Sequence, residues 1–148
     1  MRENKTQHFS TVLSFTVPGP PQPKQRPRRG KGGTFYTPAE TRAYEHTLRM
    51  YALQAVREQR WPLATCDAVA VTLRAFFPDQ RVRDLDNAAK CLDGANGIVW
   101  YDDVQIVELH VYRGIDQKNP RLEVTVEKVL DVAKPISHSP GACHETKR

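Results

Sequence analysis

Cysteine is scarce: only Cys66, Cys91 and Cys143 occur in 148 residues, an odd number with no CxxC pair. That usage argues against a disulfide framework and fits reduced thiols in a cytoplasmic protein. Long apolar runs are absent too. No stretch approaches the roughly 20 apolar residues that a membrane-spanning helix requires, and the polar start, Met1 to Gln7, lacks the apolar run of a signal peptide. The expectation is a cytoplasmic chain with no membrane partner. No GxxxxGK[ST] phosphate cradle is present and no Ser-His-Asp or Cys-His set can be assembled. Nothing in the chain calls for a small-molecule cofactor. His138 and the Cys143-His144 pair would lack the fourth ligand of a zinc site.

What remains is a basic chain of one-domain size. Its 22 Lys and Arg outnumber 17 Asp and Glu, for a net charge of +5 and a pI near 9.3. Such a balance favours polyanionic partners, because each cation set on a phosphate releases condensed counterions. The apolar fraction is 39% and mean hydropathy is −0.60, as for a compact core that carries polar segments. Residues 1–10 and 129–148 lack periodicity and are expected to be disordered ends around a single domain at 11–128. Thr11 to Val17 alternates as a strand does. Pro18 to Gly33 then holds five prolines, four glycines and five cations (Lys24, Arg26, Arg28, Arg29, Lys31) without one acid. It reads as an extended, mobile loop (18–33).

Thr37-Pro38-Ala39-Glu40 reads as a capping box with Pro at the first helical position. Tyr44, Leu48, Tyr51, Ala52, Ala55 and Val56 recur at helical spacing, which predicts a helix from Ala39 to Gln59, ended before Pro62. Ala68 to Phe77 is a strand with Val69, Val71, Leu73, Ala75 and Phe77 on one face. A short helix near Asp86, the Asn96-Gly97 turn, a strand at Val104 to Tyr112 and a cleanly alternating strand at Arg121 to Lys128 follow. The fold class is α+β: a small mixed sheet with two helices, in the order β-α-β-α-β-β.

Two pairs of aspartates stand out, Asp84 with Asp86 and Asp102 with Asp103. Residues two apart in extended chain point to one side, and crowded carboxylates repel unless a cation neutralises them. A hard divalent ion, Mg2+ or Mn2+, takes such oxygen ligands and supports metal-assisted phosphodiester hydrolysis. Lys90 follows Asp86 by four, so in a helix its ammonium stands on the same face, where it would stabilise charge on a phosphate. The plainer reading is that Asp at a helix start is a cap and Asp-Asp after a turn is a solvated loop.

RDLDNAAK followed by NGIVWYDDVQIV resembles the signature of the RusA family of Holliday-junction resolvases. The resemblance extends back through PKQRPRR and FYTPAETRAYE and covers about Phe15 to Glu127. It implies a homodimeric, Mg2+-dependent endodeoxyribonuclease of mixed helices and strands, with Asp84, Asp86 and Asp103 as active-site acids. Lys90 matches the functional lysine, and Asp102 an accompanying acid. One departure is visible: Lys90 precedes the next aspartate, Asp93, by three positions where the family has four.

The expected substrate is branched DNA, above all a four-way junction, cut on paired strands during recombination and repair. Asp84, Asp86, Asp102 and Asp103 would hold the metal, and Lys24, Arg26, Arg28, Arg29, Lys31, Arg81 and Arg83 would contact DNA. Arg81 and Arg83 serve equally well as local counterions for the aspartates. Phe76, Phe77, Trp100 and Tyr101 read first as packing. Two other classes remain open: a nuclease for flaps and replication intermediates, and a non-catalytic basic DNA-binding protein whose aspartates are caps.

Overall fold

The structure is a computed structural model that describes residues 9–130. The expectations for residues 1–8 and 131–148 lie outside the described residues. The main sheet has four strands in the order β1-β6-β4-β5, formed by β1 (Val12–Pro18), β4 (Val69–Phe77), β5 (Ile106–Ile115) and β6 (Arg121–Lys128). β6 runs antiparallel to both neighbours, with Val124 opposite Phe15 on one side and Leu73 on the other. β5 runs parallel to β4, with Val111 opposite Leu73. The parallel pair requires a crossover, and that crossover carries the RDLDN motif.

Strict alternation explains the core. Leu13 and Val17, every second residue of β4 from Val69 to Phe77, and Leu122, Val124 and Val126 are all buried. Against them packs α1 (Ala39–Glu58), which buries Tyr44, Leu48, Ala52, Ala55 and Val56 at helical spacing. The α+β order deduced from periodicity therefore holds, and β6 begins and ends where the alternation does.

Four details depart from expectation. Tyr51 lies on the flank of the helical stripe and is exposed. The N-cap of α1 is Pro38, which makes no side-chain cap bond, and not Thr37. Proline fixes the entry geometry without a side-chain acceptor. Cys66 is disulfide-bonded, whereas Cys91 is buried and free, so the cysteines are not all reduced thiols.

The fourth departure is the Pro18 to Gly33 segment, which is bonded to other elements at Gly19, Lys24 and Gln25. Gly19 donates its backbone N–H to Pro120 O at 3.0 Å, and Lys24 donates its own to Asn87 O at 3.2 Å. The Gln25 N–H reaches Thr41 Oγ1 at 3.2 Å. Its end forms a small ribbon, β2 (Arg28–Arg29) against β3 (Phe35–Tyr36). Acceptors far away in sequence satisfy the strap, which composition cannot reveal.

Asp84 opens α2 (Leu85–Ala89), and the chain then tightens into a 3-10 turn over Lys90–Ala95. The three-residue interval from Lys90 to Asp93 falls within that tightened turn. A 3-10 helix rises about 2.0 Å per residue against about 1.5 Å for an α-helix, which recovers length with one residue fewer. Gly94 lets this turn touch α1: a Cβ there would lie 2.9 Å from Glu45 O. Among the described residues, no helix is long and apolar enough to cross a membrane.

Candidate active site

The first aspartate pair is organised by the start of α2. Asp84 has extended backbone geometry, and its Oδ1 accepts the Asp86 N–H at 3.1 Å, as an N-cap does. Asp86 stands in the first helical turn, so the two carboxylates are neighbours through a cap and not through strand alternation. Lys90 Nζ lies 3.3 Å from Asp86 Oδ2 and donates to Asn87 Oδ1 at 3.3 Å. The i,i+4 geometry thus places an ammonium beside an exposed carboxylate.

The second pair is organised from beneath by Gln105. Asp102 caps the short 3-10 turn Asp103–Gln105 in a capping box. The buried Gln105 side chain accepts the N–H groups of Tyr101 and Asp102, each at 2.9 Å. It donates in turn to Thr65 O at 2.8 Å and Asp67 O at 3.0 Å. The Asp-Asp turn is therefore bolted to the loop that leads into β4. Its sequence signal is the D-x-x-Q spacing.

Asp102 and Asp103 contact each other. Their side-chain hydrogen bond pushes the Asp103 carboxyl above its ordinary range, with partial burial and the negative charges of Asp102 and Asp93 adding to it. The same bond, joined by the Val104 N–H, holds Asp102 below that range. Two adjacent carboxylates repel when both are charged, a cost that a divalent cation relieves.

Asp93 is the acid that motif reading passes over. It acts electrostatically on Asp103 and accepts from Lys24 Nζ at 2.6 Å. Lys24 also bonds Asn87 through its backbone. Polar contacts thus run from Asp86 and Lys90 through Asn87 and Lys24 to Asp93, whose charge acts on Asp103 through space. Among the described residues, no three or more His, Cys, Asp or Glu side chains are gathered closely enough to hold an ion together. The donor chemistry nevertheless fits a hard cation, since all donors are carboxylate oxygens facing solvent. Mg2+ commonly takes only one or two carboxylates and completes its shell with water and substrate phosphate.

The cations divide into two sets. Arg26, Arg28, Arg29 and Lys31 are exposed on the strap that follows Lys24. Lys24 is held in ion pairs. Arg83 donates to Asp79 Oδ1 at 2.7 Å and lies 4.5 Å above the Phe77 ring. Arg81 approaches Asp79 at 3.8 Å while remaining largely exposed. Both arginines thus serve Asp79, not Asp84 or Asp86. The Arg83 bond, followed by the Arg81 N–H, holds Asp79 below the usual carboxylate range. Phe77 and Trp100 are core, while Phe76 lies under Arg121, 4.0 Å from its guanidinium.

Comparison with known proteins identifies the family. The family model described as Endodeoxyribonuclease RusA matches residues 18–127. The crossover junction endodeoxyribonuclease RusA of Escherichia coli (strain K12) is 30% identical over 120 residues, which span 80% of this chain and 96% of that protein. The Shigella sonnei (strain Ss046) protein of the same name has the same identity and coverage. The Enterobacteria phage 82 protein is 28% identical over 117 residues, covering 78% of this chain and 93% of its own. With the family model matching most of its length, the chain belongs to the endodeoxyribonuclease RusA family.

Proposed function

We propose that the chain is a divalent-metal-dependent endodeoxyribonuclease that resolves four-way DNA junctions by paired strand cleavage, with Mg2+ as its metal. The observation that carries this reading is the layout of the acids. Two aspartate pairs stand exposed at the starts of two short helical turns, and the strap that carries the exposed arginines is tied through Lys24 to Asp93 and Asn87 between them in the chain. Asp84, Asp86 and Asp103 are the residues that would hold the metal, with Asp102 as an accompanying donor. When bound, the metal supplies Lewis-acid polarisation of the scissile phosphate and a lowered pKa for the attacking water.

The chain's own residues do the rest. Arg26, Arg28, Arg29 and Lys31 bind backbone phosphates and bring the strand to the acids. Lys90, 3.3 Å from Asp86, would neutralise charge developing on the phosphate. Gln105 holds the Asp102-Asp103 turn in place, so the acids need little reorganisation when DNA arrives. Water adds to phosphorus, the P–O3′ bond breaks, and O3′ takes up a proton. The products are a 5′-phosphate and a 3′-hydroxyl.

A homodimer completes the reading, because a junction has two symmetry-related strands to cut. The second reading, a basic DNA-binding protein without catalysis, draws on the caps that Asp84 and Asp102 form. The two separate on Asp86→Asn, which removes no cap. A synthetic four-way junction, a flap and plain duplex are digested side by side, with Mg2+ or with EDTA. The expected outcome is metal-dependent cutting of the junction, abolished in Asp86→Asn while junction binding survives. Undiminished cutting by that variant would sink the active-site assignment, and preferential cutting of the flap would sink the junction assignment.

A further inference from the structure

Lys24 sits within the basic strap, yet it is engaged unlike its neighbours there. Its ammonium is 2.6 Å from Asp93 Oδ2 and 3.4 Å from Glu45 Oε1. Glu45 belongs to α1, Asp93 to the 3-10 turn after α2, and Lys24 to the strap, so one ammonium joins three elements. Glu45 Oε1 is buried and has no hydrogen-bond partner of good geometry. The ion pair with Lys24 is what compensates it. A carboxylate oxygen removed from water needs such a counter-ion. The hydrogen bond to Asp93 holds the Lys24 ammonium above its ordinary pKa, consistent with a cation committed to the protein.

The surrounding backbone is shaped for this clamp. Gly94 allows the turn that carries Asp93 to approach Glu45 O, where a Cβ would stand at 2.9 Å. The Lys24 N–H is itself bonded to Asn87 O at 3.2 Å. Gln25 adds bonds to Thr41 Oγ1 at 3.2 Å and Glu40 Oε2 at 3.1 Å on α1. Beyond this anchor point the exposed Arg26, Arg28 and Arg29 follow directly.

We propose that Lys24 is a positioning residue: with Asp93 and Glu45 it clamps the strap to the acidic site and sets the arginines that follow it, instead of contacting DNA phosphate itself. The proposal rests on the nuclease reading above. Its decisive measurements, metal-free binding and tryptic release of the strap, need no catalysis, so the two can fail separately.

Two roles for Lys24 differ in salt dependence. Each phosphate contact contributes about 0.9 to the slope of log K against log salt on B-DNA. Junction binding is titrated against salt in EDTA for the unsubstituted chain, Lys24→Met, Lys24→Arg, Asp93→Asn and Arg28→Gln. Trypsin cleavage after Arg28 and Arg29 is followed in the first four of these. Lys24→Met and Asp93→Asn should both speed cleavage of the strap roughly tenfold, as expected for release of a locally pinned segment. Both should keep the salt slope, while Arg28→Gln lowers it by about one phosphate. Lys24→Arg, which keeps the charge, should restore protection. With Mg2+, turnover of bound junction should fall in Lys24→Met and recover in Lys24→Arg. A slope lowered by Lys24→Met with the strap still protected would make Lys24 a phosphate contact and overturn the proposal. Unchanged protection in Asp93→Asn would overturn it as well. Circular dichroism keeps a global folding defect distinct, since Asp93→Asn tests the same clamp from its exposed acidic side.

Discussion

Asp84 places two demands on one carboxylate. Oδ1 accepts the Asp86 N–H and caps α2, while the proposed chemistry needs the negative charge for a cation. Asparagine separates the two, because it caps a helix as well as aspartate does but offers a neutral donor. Asp84→Asn should therefore leave stability within about 0.5 kcal/mol and abolish Mg2+-dependent cleavage. Asp84→Ala should lose cleavage and about 1 kcal/mol besides, as N-cap truncations do. Urea denaturation and a junction digest of both variants check this, and full cleavage by Asp84→Asn would reduce the residue to a cap. At this scale the aspartate pairs are legible as motifs, and Lys90 is legible as the i,i+4 neighbour of Asp86. Asp93 is not. It owes its place to a lysine 69 positions away, and no local pattern encodes that separation.

Elements differ in how plainly the chain announces them. β4 and β6 alternate strictly because both are internal strands with one face on α1, so every second side chain must be apolar. β5 is harder to delimit. It lies at the sheet edge, its burial pattern is irregular, and it runs from Ile106 to Ile115 where alternation suggested Val104 to Tyr112. The first residues of that span belong to the turn that Asp102 caps. The strap is least legible, because proline, glycine and arginine signal only that a segment cannot build a core. The contact between the 3-10 turn and α1 is equally silent in sequence, since it depends on what Gly94 lacks. Gly94→Ala should force the turn away from the Glu45 carbonyl, a backbone atom that cannot swing aside, at a cost of about 1–3 kcal/mol. Denaturant unfolding measures the loss. Amide exchange should show it accompanied by faster opening at Lys24 and Gln25, and an unchanged midpoint would mean that the two elements do not press on each other.

At the scale of the whole molecule, β5 poses the largest packing question. Among the described residues it pairs only with β4 in the main sheet, and Leu109, Val111 and Ile115 stand opposite the inward-facing Val71, Leu73 and Phe77. They extend the core-facing row past the cover that α1 provides. Leu109 is 46% exposed and Ile115 49%. A ten-residue edge strand with such an apolar row is a pairing hazard unless something covers it. A second copy of the chain is the cover that matches the proposed work, because a two-fold interface would give one catalytic site to each of the two strands of a junction. Lysine at Leu109 would set a charge in that interface while leaving the β4 side of the strand untouched. If the proposed dimer forms through this strand, Leu109→Lys should sediment as a single chain at concentrations where the unsubstituted protein sediments as two. Because each subunit keeps its own acids, the variant should still nick a junction with Mg2+. What it should lose is coincident cutting: on a cruciform plasmid, nicked circles should accumulate where the dimer produces linear DNA directly. A Leu109→Lys protein that stays dimeric and linearises the plasmid would move the interface off β5.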